Sequence, residues 1–365
     1  MTKIKDVLTH LEDFAPLAYQ EEYDNSGLLT GDSNQDLTGI LICIDSTEDV
    51  IEEAIMCQCN LVIAHHPIIF RGIRKLTGAG YVERVIIKAI RNGIAIYAIH
   101  TNLDNIRQGV NRKICDMLSL QNVTVLQPKQ DKLMKLVTFT PVDHRDQVLE
   151  ALHQAGAGNI GKYEKCSFRV EGMGRFMPGK EANPFIGEKE HLEEVCEERI
   201  EVIFPSHKKD RILDMLNSAH PYEEVAYYLQ ELANDSGEVG SGMAGFLEHE
   251  MKPVDFLRFL KDRMKLNMVR YTAPDNLLIR KIGVCGGAGA FLLKKALQSG
   301  AQAFITADIK YHDFFETEGK LMLVDVGHYE SEQFTKELIY DLLSKKFSNI
   351  ALRLSEVNTN PIRYI

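Results

Sequence analysis

The chain has no apolar run approaching the roughly 18 residues that a membrane-spanning helix requires, so no bilayer crossing is expected. Its opening, MTKIKDVLTHLEDFAP, reads as a charged amphipathic helix without the apolar segment of a secretory signal. An excess of basic residues is also missing. There are 42 Lys and Arg against 52 Asp and Glu, a formal net charge of −10, with a pI near 5.7. That balance argues against a general nucleic-acid binder, which needs a basic face; it leaves room for a local basic patch. Cysteines are few: seven, odd in number and scattered, with no second pair to complete zinc-ribbon spacing beside Cys57 and Cys59. They read as reduced thiols, and a cytoplasmic location is expected. No G-x-S-x-G nucleophile turn is present, and nothing points to a cysteine nucleophile.

What is present is the composition of a globular protein. At 365 residues, 45% hydrophobic and 26% charged, the chain can form two or three domains with their own cores. Ile4, Val7, Leu8 and Leu11 recur at helical spacing. Residues 39–45 (GILICID) form a buried-type strand, and Ser46-x-x-Asp49 resembles a capping box for a helix to about residue 58. A strand at 61–64, a helix at 81–92 closed by Gly93, and a strand at 94–99 follow. This alternation predicts an α/β layer with largely parallel strands.

Near Lys132 the texture changes. Strands are expected at 135–140, 167–176, 199–204 and 225–232, with helices at 143–154 and 208–219. The order β-α-β-β-α-β is that of a ferredoxin-like domain, with Asn234-Asp235-Ser236-Gly237 as its exit. The α/β pattern then returns, with strands at 279–285, 302–307 and 321–326 and helices at 291–298 and 331–345. GILICID-helix-NLVIAHHP parallels KIGVCGG-helix-AFITADIK, and GIAIYAIHTNLD parallels GKLMLVDVGHYESE. The expected architecture is two duplicated α/β halves, residues 1–129 and 234–365, with a ferredoxin-like domain at 130–233 inserted between them.

The strand at 61–64 ends on His65 and His66, and Pro67 stops it. Imidazole is the commonest protein ligand for transition metals. A plainer alternative is one buried, hydrogen-bonded histidine beside one exposed one, since strand neighbours face opposite ways. The next strand ends in His100-Thr101-Asn102-Leu103-Asp104-Asn105, where an Asx turn competes with a ligand role for Asp104. Sites in parallel sheets form beyond the carboxyl ends of strands. His328 and Glu332, four apart at a helix start, share a face, although an exposed helix pair explains that segment alone equally well. His65, His66, Asp104, His328 and Glu332 make five candidate ligands. One zinc needs three or four, so five with two carboxylates suit two divalent ions. Zinc is the first expectation, with Fe, Mn, Co and Ni open. His100, Asp308 and His312 are candidate surrounding groups, and His100 or Asp308 the candidate proton shuttle. Asp24 and Asn25 read first as turn formers and second as the edge of a site. Gly286-Gly287-Ala288-Gly289 reads first as tight strand-to-helix packing and second as a phosphate contact, for which a basic side chain such as Lys310 is the alternative; it matches no dinucleotide or P-loop fingerprint.

YDNSGLLTGD, AHHPIIF, HTNLDN, GHYESE and the terminal TNPIRYI, in this order, resemble the NIF-three-like family, the GTP cyclohydrolase 1 type 2 homologs. The segments GMGRFMPGKEANPFIGE and HPYEEVAYYLQEL resemble the PII/CutA-like insert of its long, YqfO-type bacterial members. Tyr23 stands where many members have tryptophan, another large aromatic. The resemblance implies a di-metal site between two α/β halves, with ligands at His65, His66, Asp104, His328 and Glu332. It implies a toroidal homohexamer and, for some members, GTP ring opening. Three functions are therefore expected to compete: a di-metal hydrolase of nucleotide-type substrates, a non-enzymatic metal-binding regulator or metal-delivery protein, and a scaffold with structural metals. Open coordination positions favour the first and a closed site the third.

Overall fold

The computed structural model describes residues 2–130, 133–235, 237–272, 274 and 277–365. Lys132 and Ser236, two of the expected domain-boundary residues, lie outside the described residues. The chain divides into two compact units, Met1–Gln127 with Glu238–Ile365, and Pro128–Gly237.

The first unit contains two sheets. One has the strand order Gly27–Thr30, Ala95–Ala98, Leu61–Ala64, Ile40–Cys43, Leu352–Leu354. The four strands from Ala95–Ala98 to Leu352–Leu354 run parallel, and Gly27–Thr30 pairs antiparallel at the edge. The other has the order Arg270–Tyr271, Met322–Asp325, Ala303–Ala307, Ile279–Ala288, Gly240–Met251, Gln121–Pro128. Its three middle strands, Met322–Asp325, Ala303–Ala307 and Ile279–Ala288, are parallel, and antiparallel strands flank them.

Strands such as Leu61–Ala64 and Ala95–Ala98 are apolar at every position because both of their faces are buried. Leu41, Val62 and Ile96 pack on Val50, Ile51, Val85 and Ala89 of the helices Glu48–Met56 and Tyr81–Arg91. Ile42, Ile63 and Tyr97 face the other way, into one core shared with Ile282, Ile305 and Val324 of the second sheet. Both sheets are thus tied to a single apolar interior, and the carboxyl ends of their parallel strands supply the loops described below.

Several elements depart from the expected pattern. The strands Gln121–Pro128 and Gly240–Met251 had no clear alternating signature: the second, GSGMAGFLEHEM, is glycine-rich, which weakens strand propensity. Thr47, not Ser46, caps the helix Glu48–Met56, its side chain accepting the Val50 N–H at 3.3 Å. The expected helix at 331–345 is two helices, His328–Glu332 and Thr335–Ser344.

In the second unit the order is strand Leu133–Pro141, helix Arg145–Ala155, strands Phe168–Phe176 and Glu193–Pro205, helix Lys209–Ala219 and strand Tyr227–Leu232. The strands lie in the order Phe168–Phe176, Glu193–Pro205, Leu133–Pro141, Tyr227–Leu232, all antiparallel. Leu136, Ile200, Val202 and Phe204 on one face pack against Val148, Leu152, Ile212 and Leu216 of the two helices.

Candidate metal centre

Five strands of the parallel ladders end within three residues of a polar side chain. Asp45 follows Ile40–Cys43, His65 and His66 follow Leu61–Ala64, and His100 follows Ala95–Ala98. Asp308 follows Ala303–Ala307, and His328 follows Met322–Asp325. These ends meet within the first unit. The rings of His65 and His66 lie 4.9 Å apart, His65 and His100 5.3 Å, and His66 and His328 5.1 Å. His65 is fully buried and His66 half-buried. Both escape the opposite-face rule because they lie beyond the last paired residue, Ala64.

The Nδ1 atoms are all turned outward and held. His65 Nδ1 lies 2.9 Å from the Ile99 carbonyl, which can only accept, so Nδ1 carries the proton. His66 Nδ1 meets Asp45 at 2.8 Å, His100 Nδ1 meets Asp24 at 2.7 Å, and His328 Nδ1 meets Asp308 at 2.7 Å. This is how metal-ligating histidines are oriented: the outer partner fixes the tautomer and frees Nε2 for the ion. Asp45 is itself braced by Thr359 of the terminal TNPIRYI, at 2.6 Å.

The inward atoms form two groups that share Glu332. Its Oε2 lies 2.9 Å from His66 Nε2 and 3.1 Å from His328 Nε2. Its Oε1 lies 3.7 Å from His65 Nε2, which is 3.8 Å from Asp104 Oδ1. His65, Asp104 and Glu332 form one group that can hold a metal ion; His66, His328 and Glu332 form another; His65, His66 and His100 form a third.

Three observations test the fit. His65 Nε2 and Asp104 Oδ1 are buried without a hydrogen-bond partner, a costly arrangement unless a ligand completes it. His66 Nε2 and His328 Nε2 face each other at 3.2 Å, a repulsive contact if both carry protons. Two ligands about 2 Å from one tetrahedral ion would sit about that far apart. Gly287, at φ +62°, leaves the space that Glu332 occupies: a Cβ there would overlap Glu332 Oε1. The donor set therefore fits a divalent ion of the zinc type.

Without an ion the cluster is electrostatically tense. Burial would lower the His66 pKa, but Asp45 and Glu332 outweigh it and raise it to about 10. The same competition, with Glu332 and Asp308, takes His328 to about 9, and Glu332 and Asp104 raise His65. Burial pushes Asp104 up to about 6, His65 opposing and Glu332 adding to the rise. Burial would raise Glu332 too, but His65, His328 and His66 hold it well below the usual carboxylate range.

The candidate residues sort by position. His65, His66, Asp104, His328 and Glu332 come together, and His100 joins them through the third group. Asp308 stands behind His328, on its Nδ1, and is not among the cavity-lining residues. His312 is exposed, 5.4 Å from the Tyr311 ring, and belongs to none of the groups. Asp104 Oδ1 makes no Asx-turn hydrogen bond. In the glycine turn, the Gly286 N–H donates to Asn111 Oδ1 and the Gly287 N–H to Ser331 Oγ, both at 2.9 Å, so neither points at an open anion site.

Asp24 and Asp45 carry more than their sequence context suggested. Asp24 accepts from Asn25 and Ser26 as a turn former does, but also from His100 and from Thr101 N–H and Oγ1. The strand-end rule applied to His65 also reaches Asp45, the last residue of GILICID. Changing Asp45 to Asn, which cannot hold His66 as firmly, is expected to weaken metal binding by roughly 10–100-fold. Competition with a chromogenic chelator would measure it, and an unchanged affinity would show that Asp45 does not orient His66.

A cavity of about 390 Å³ opens over the cluster, lined by His66, His100, Asp104, His328 and Glu332 together with Tyr23, Phe70 and Phe291. Tyr23 and Phe70 stack at 6.3 Å. No Lys or Arg is among its described lining residues.

The fold and site define an α/β protein whose strand ends gather histidines and carboxylates able to hold a metal ion. The family described as Duf34/NIF3 (NGG1p interacting factor 3) matches residues 2–361, and the chain belongs to it. Among its relatives is a "GTP cyclohydrolase 1 type 2 homolog" of Bacillus subtilis (strain 168), 36% identical over 367 residues, covering 99% of this chain and 98% of that protein. One of Halalkalibacterium halodurans, with the same description, is 38% identical over 365 residues and covers 98% of each. Among solved structures, a Bacillus cereus protein related to NIF3 superposes with a TM-score of 0.88 at 34% identity, over 100% of this chain and 99% of that one.

Proposed function

We propose that the protein holds two divalent metal ions through His65, His66, Asp104, His328 and Glu332, and hydrolyses a nucleotide-type substrate there. The observation that carries this reading is the pair of orphaned buried atoms, His65 Nε2 and Asp104 Oδ1, beside a Glu332 carboxylate shared with His66 and His328. Bound zinc or a similar ion supplies Lewis acidity and lowers the pKa of water. The chain's own residues do the rest. His100, its Nδ1 held by Asp24, presents Nε2 to the cavity as the proton acceptor. Asp45 and Asp308 keep His66 and His328 aimed inward. Tyr23, Phe70 and Phe291 flank the mouth, where a planar heterocycle such as guanine can stack.

A second reading is a metal-binding regulatory or metal-delivery protein. It is favoured by the lack of Lys and Arg among the described lining residues, which leaves a triphosphate without protein cations. The relatives' description as homologs of a cyclohydrolase supports the first reading. The proposal includes related α/β halves, supported by two sheets that each have a parallel core, of four strands in one and three in the other, with an antiparallel edge strand. It also includes a ferredoxin-like insert of the PII/CutA kind, supported by the strand order of Pro128–Gly237. The homohexamer rests on the family resemblance, and the cytoplasmic location on the seven cysteines, all of them free thiols. Among the described residues no helix is long and apolar enough to cross a membrane.

The test is metal content together with turnover. Protein loaded with zinc, manganese, iron, cobalt or nickel is offered a panel of nucleotides, with Asp104→Ala alongside. The hydrolase reading expects turnover that chelator abolishes and that falls at least 100-fold in Asp104→Ala. Equal rates in both proteins would mean a contaminant. No turnover with both ions bound would leave the regulatory reading.

A further inference from the structure

The two stretches through which the insert resembles other long family members, residues 172–188 and 220–232, contain none of the candidate metal ligands. Within the unit Pro128–Gly237 they form opposite walls of one cavity of about 670 Å³, a size that suits a small ligand. Its lining is aromatic. Phe139 and Tyr228 meet edge-on at 5.7 Å, Phe176 and Tyr222 lie 6.0 Å apart, and Phe185 and Tyr222 lie 6.4 Å apart. Several of these walls are left in water: Tyr228 is 60% exposed, Phe185 53% and the lining Met173 66%.

One charged group is built into the wall. Glu197 is only 8% exposed, and its Oε1 accepts the Tyr222 hydroxyl at 2.9 Å. Gly174 lies against its carboxylate, where any Cβ would overlap Oε2. Tyr222 is locked in turn. Its N–H donates to His220 Nδ1 at 3.1 Å, and His220 Nε2 donates to the Phe139 carbonyl at 2.8 Å. The other charges favour a cation. Glu171, Glu223 and Glu224 line the cavity with Glu197, against Arg175 and Arg199. Arg199 is already paired with Glu201 at 2.7 Å, and Arg175 faces Glu194 at 3.9 Å. Aromatic faces attract cations through their quadrupole, and a carboxylate in the wall completes such a cage.

We propose that this cavity binds a small organic ammonium ion carrying an apolar body, with Glu197 as its counter-ion and Phe139, Phe176, Phe185, Tyr222 and Tyr228 as its walls. The site is separate from the metal centre and independent of the hydrolase reading.

Calorimetric titration of the full chain with phenethylammonium, 2-phenylethanol and phenylacetate tests it, since the three share a ring and differ mainly in charge. The ammonium ion is expected to bind at least tenfold more tightly than the alcohol, and phenylacetate most weakly. Glu197→Gln should weaken the ammonium ion at least tenfold and leave the alcohol unchanged. Phe185→Ala, at an exposed wall position, should weaken all bound probes, which covers the case in which the Glu197 variant misfolds. Metal content should be the same in every variant. Equal affinity for ammonium and alcohol, a preference for phenylacetate, or an unchanged ammonium affinity in folded Glu197→Gln would overturn the proposal. So would no binding of any probe, including the case in which a second copy of the chain covers the cavity.

Discussion

Glu332→Gln is expected to cost more metal than any other single isosteric change in this protein. Glu332 reaches His65 through Oε1 and both His66 and His328 through Oε2. An amide keeps the shape but supplies one neutral oxygen in place of two charged ones. Both groups lose a ligand at once, so affinity should fall by roughly 100-fold or more, beyond the usual loss from an outer partner alone. The fold should survive, because the three imidazoles can shed their protons when the carboxylate is gone. Elemental analysis after gel filtration, with a circular-dichroism melt on the same sample, reads both effects. Full occupancy in the variant would remove Glu332 from the coordination shell; an unfolded variant would make it a structural residue first.

Metal affinity should also rise steeply with pH, over a window fixed by the cluster. In the metal-free protein His66 titrates at about 10 and His328 at about 9, so near neutral pH both carry protons that an ion must displace. Apparent affinity should climb roughly tenfold per pH unit for each proton displaced, and level off above about pH 10. Below about pH 6 Asp104 also holds its proton, and the dependence should steepen further. The metal-free fold has the opposite trend. A histidine pKa raised above its unfolded value stabilises the folded state below about 6.5 and loses that contribution as pH rises towards the folded value. The melting-temperature gain on adding zinc should therefore grow from pH 6 to pH 9. A constant gain would mean that these imidazoles do not exchange protons for the ion.

Some of the site was legible because it follows strand ends. His65, His66 and His100 are each announced by an apolar run that stops at a polar residue, and the crevice rule for parallel strands says where such residues meet. Asp45 obeys the same rule but ends a hydrophobic-looking motif, GILICID, with no histidine beside it. Asp24 was hidden differently. Its turn chemistry is genuine, and the bonds to His100 and Thr101 span 76 and 77 positions of the chain, beyond any local pattern. His312 shows the converse error: a ligand-type residue near the right strand end whose short 3-10 segment, Tyr311–Thr317, turns it to solvent among aromatic rings.

By itself the sequence determined the α/β alternation, through apolar runs too uniform for one-sided strands, and the β-α-β-β-α-β order of the middle segment, through helical and strand periodicity. Those are local properties, carried by side chains within a few positions of one another. Only the tertiary structure decided which Nδ1 atoms are tied back, that Glu332 is shared between two ligand groups, and that Gly286 and Gly287 spend their N–H groups on Asn111 and Ser331. Each depends on chain segments well separated in sequence and brought together by tertiary packing, some as neighbouring strand ends of one sheet and some, like Glu332 with His66, from different sheets, and periodicity carries no information about such distances.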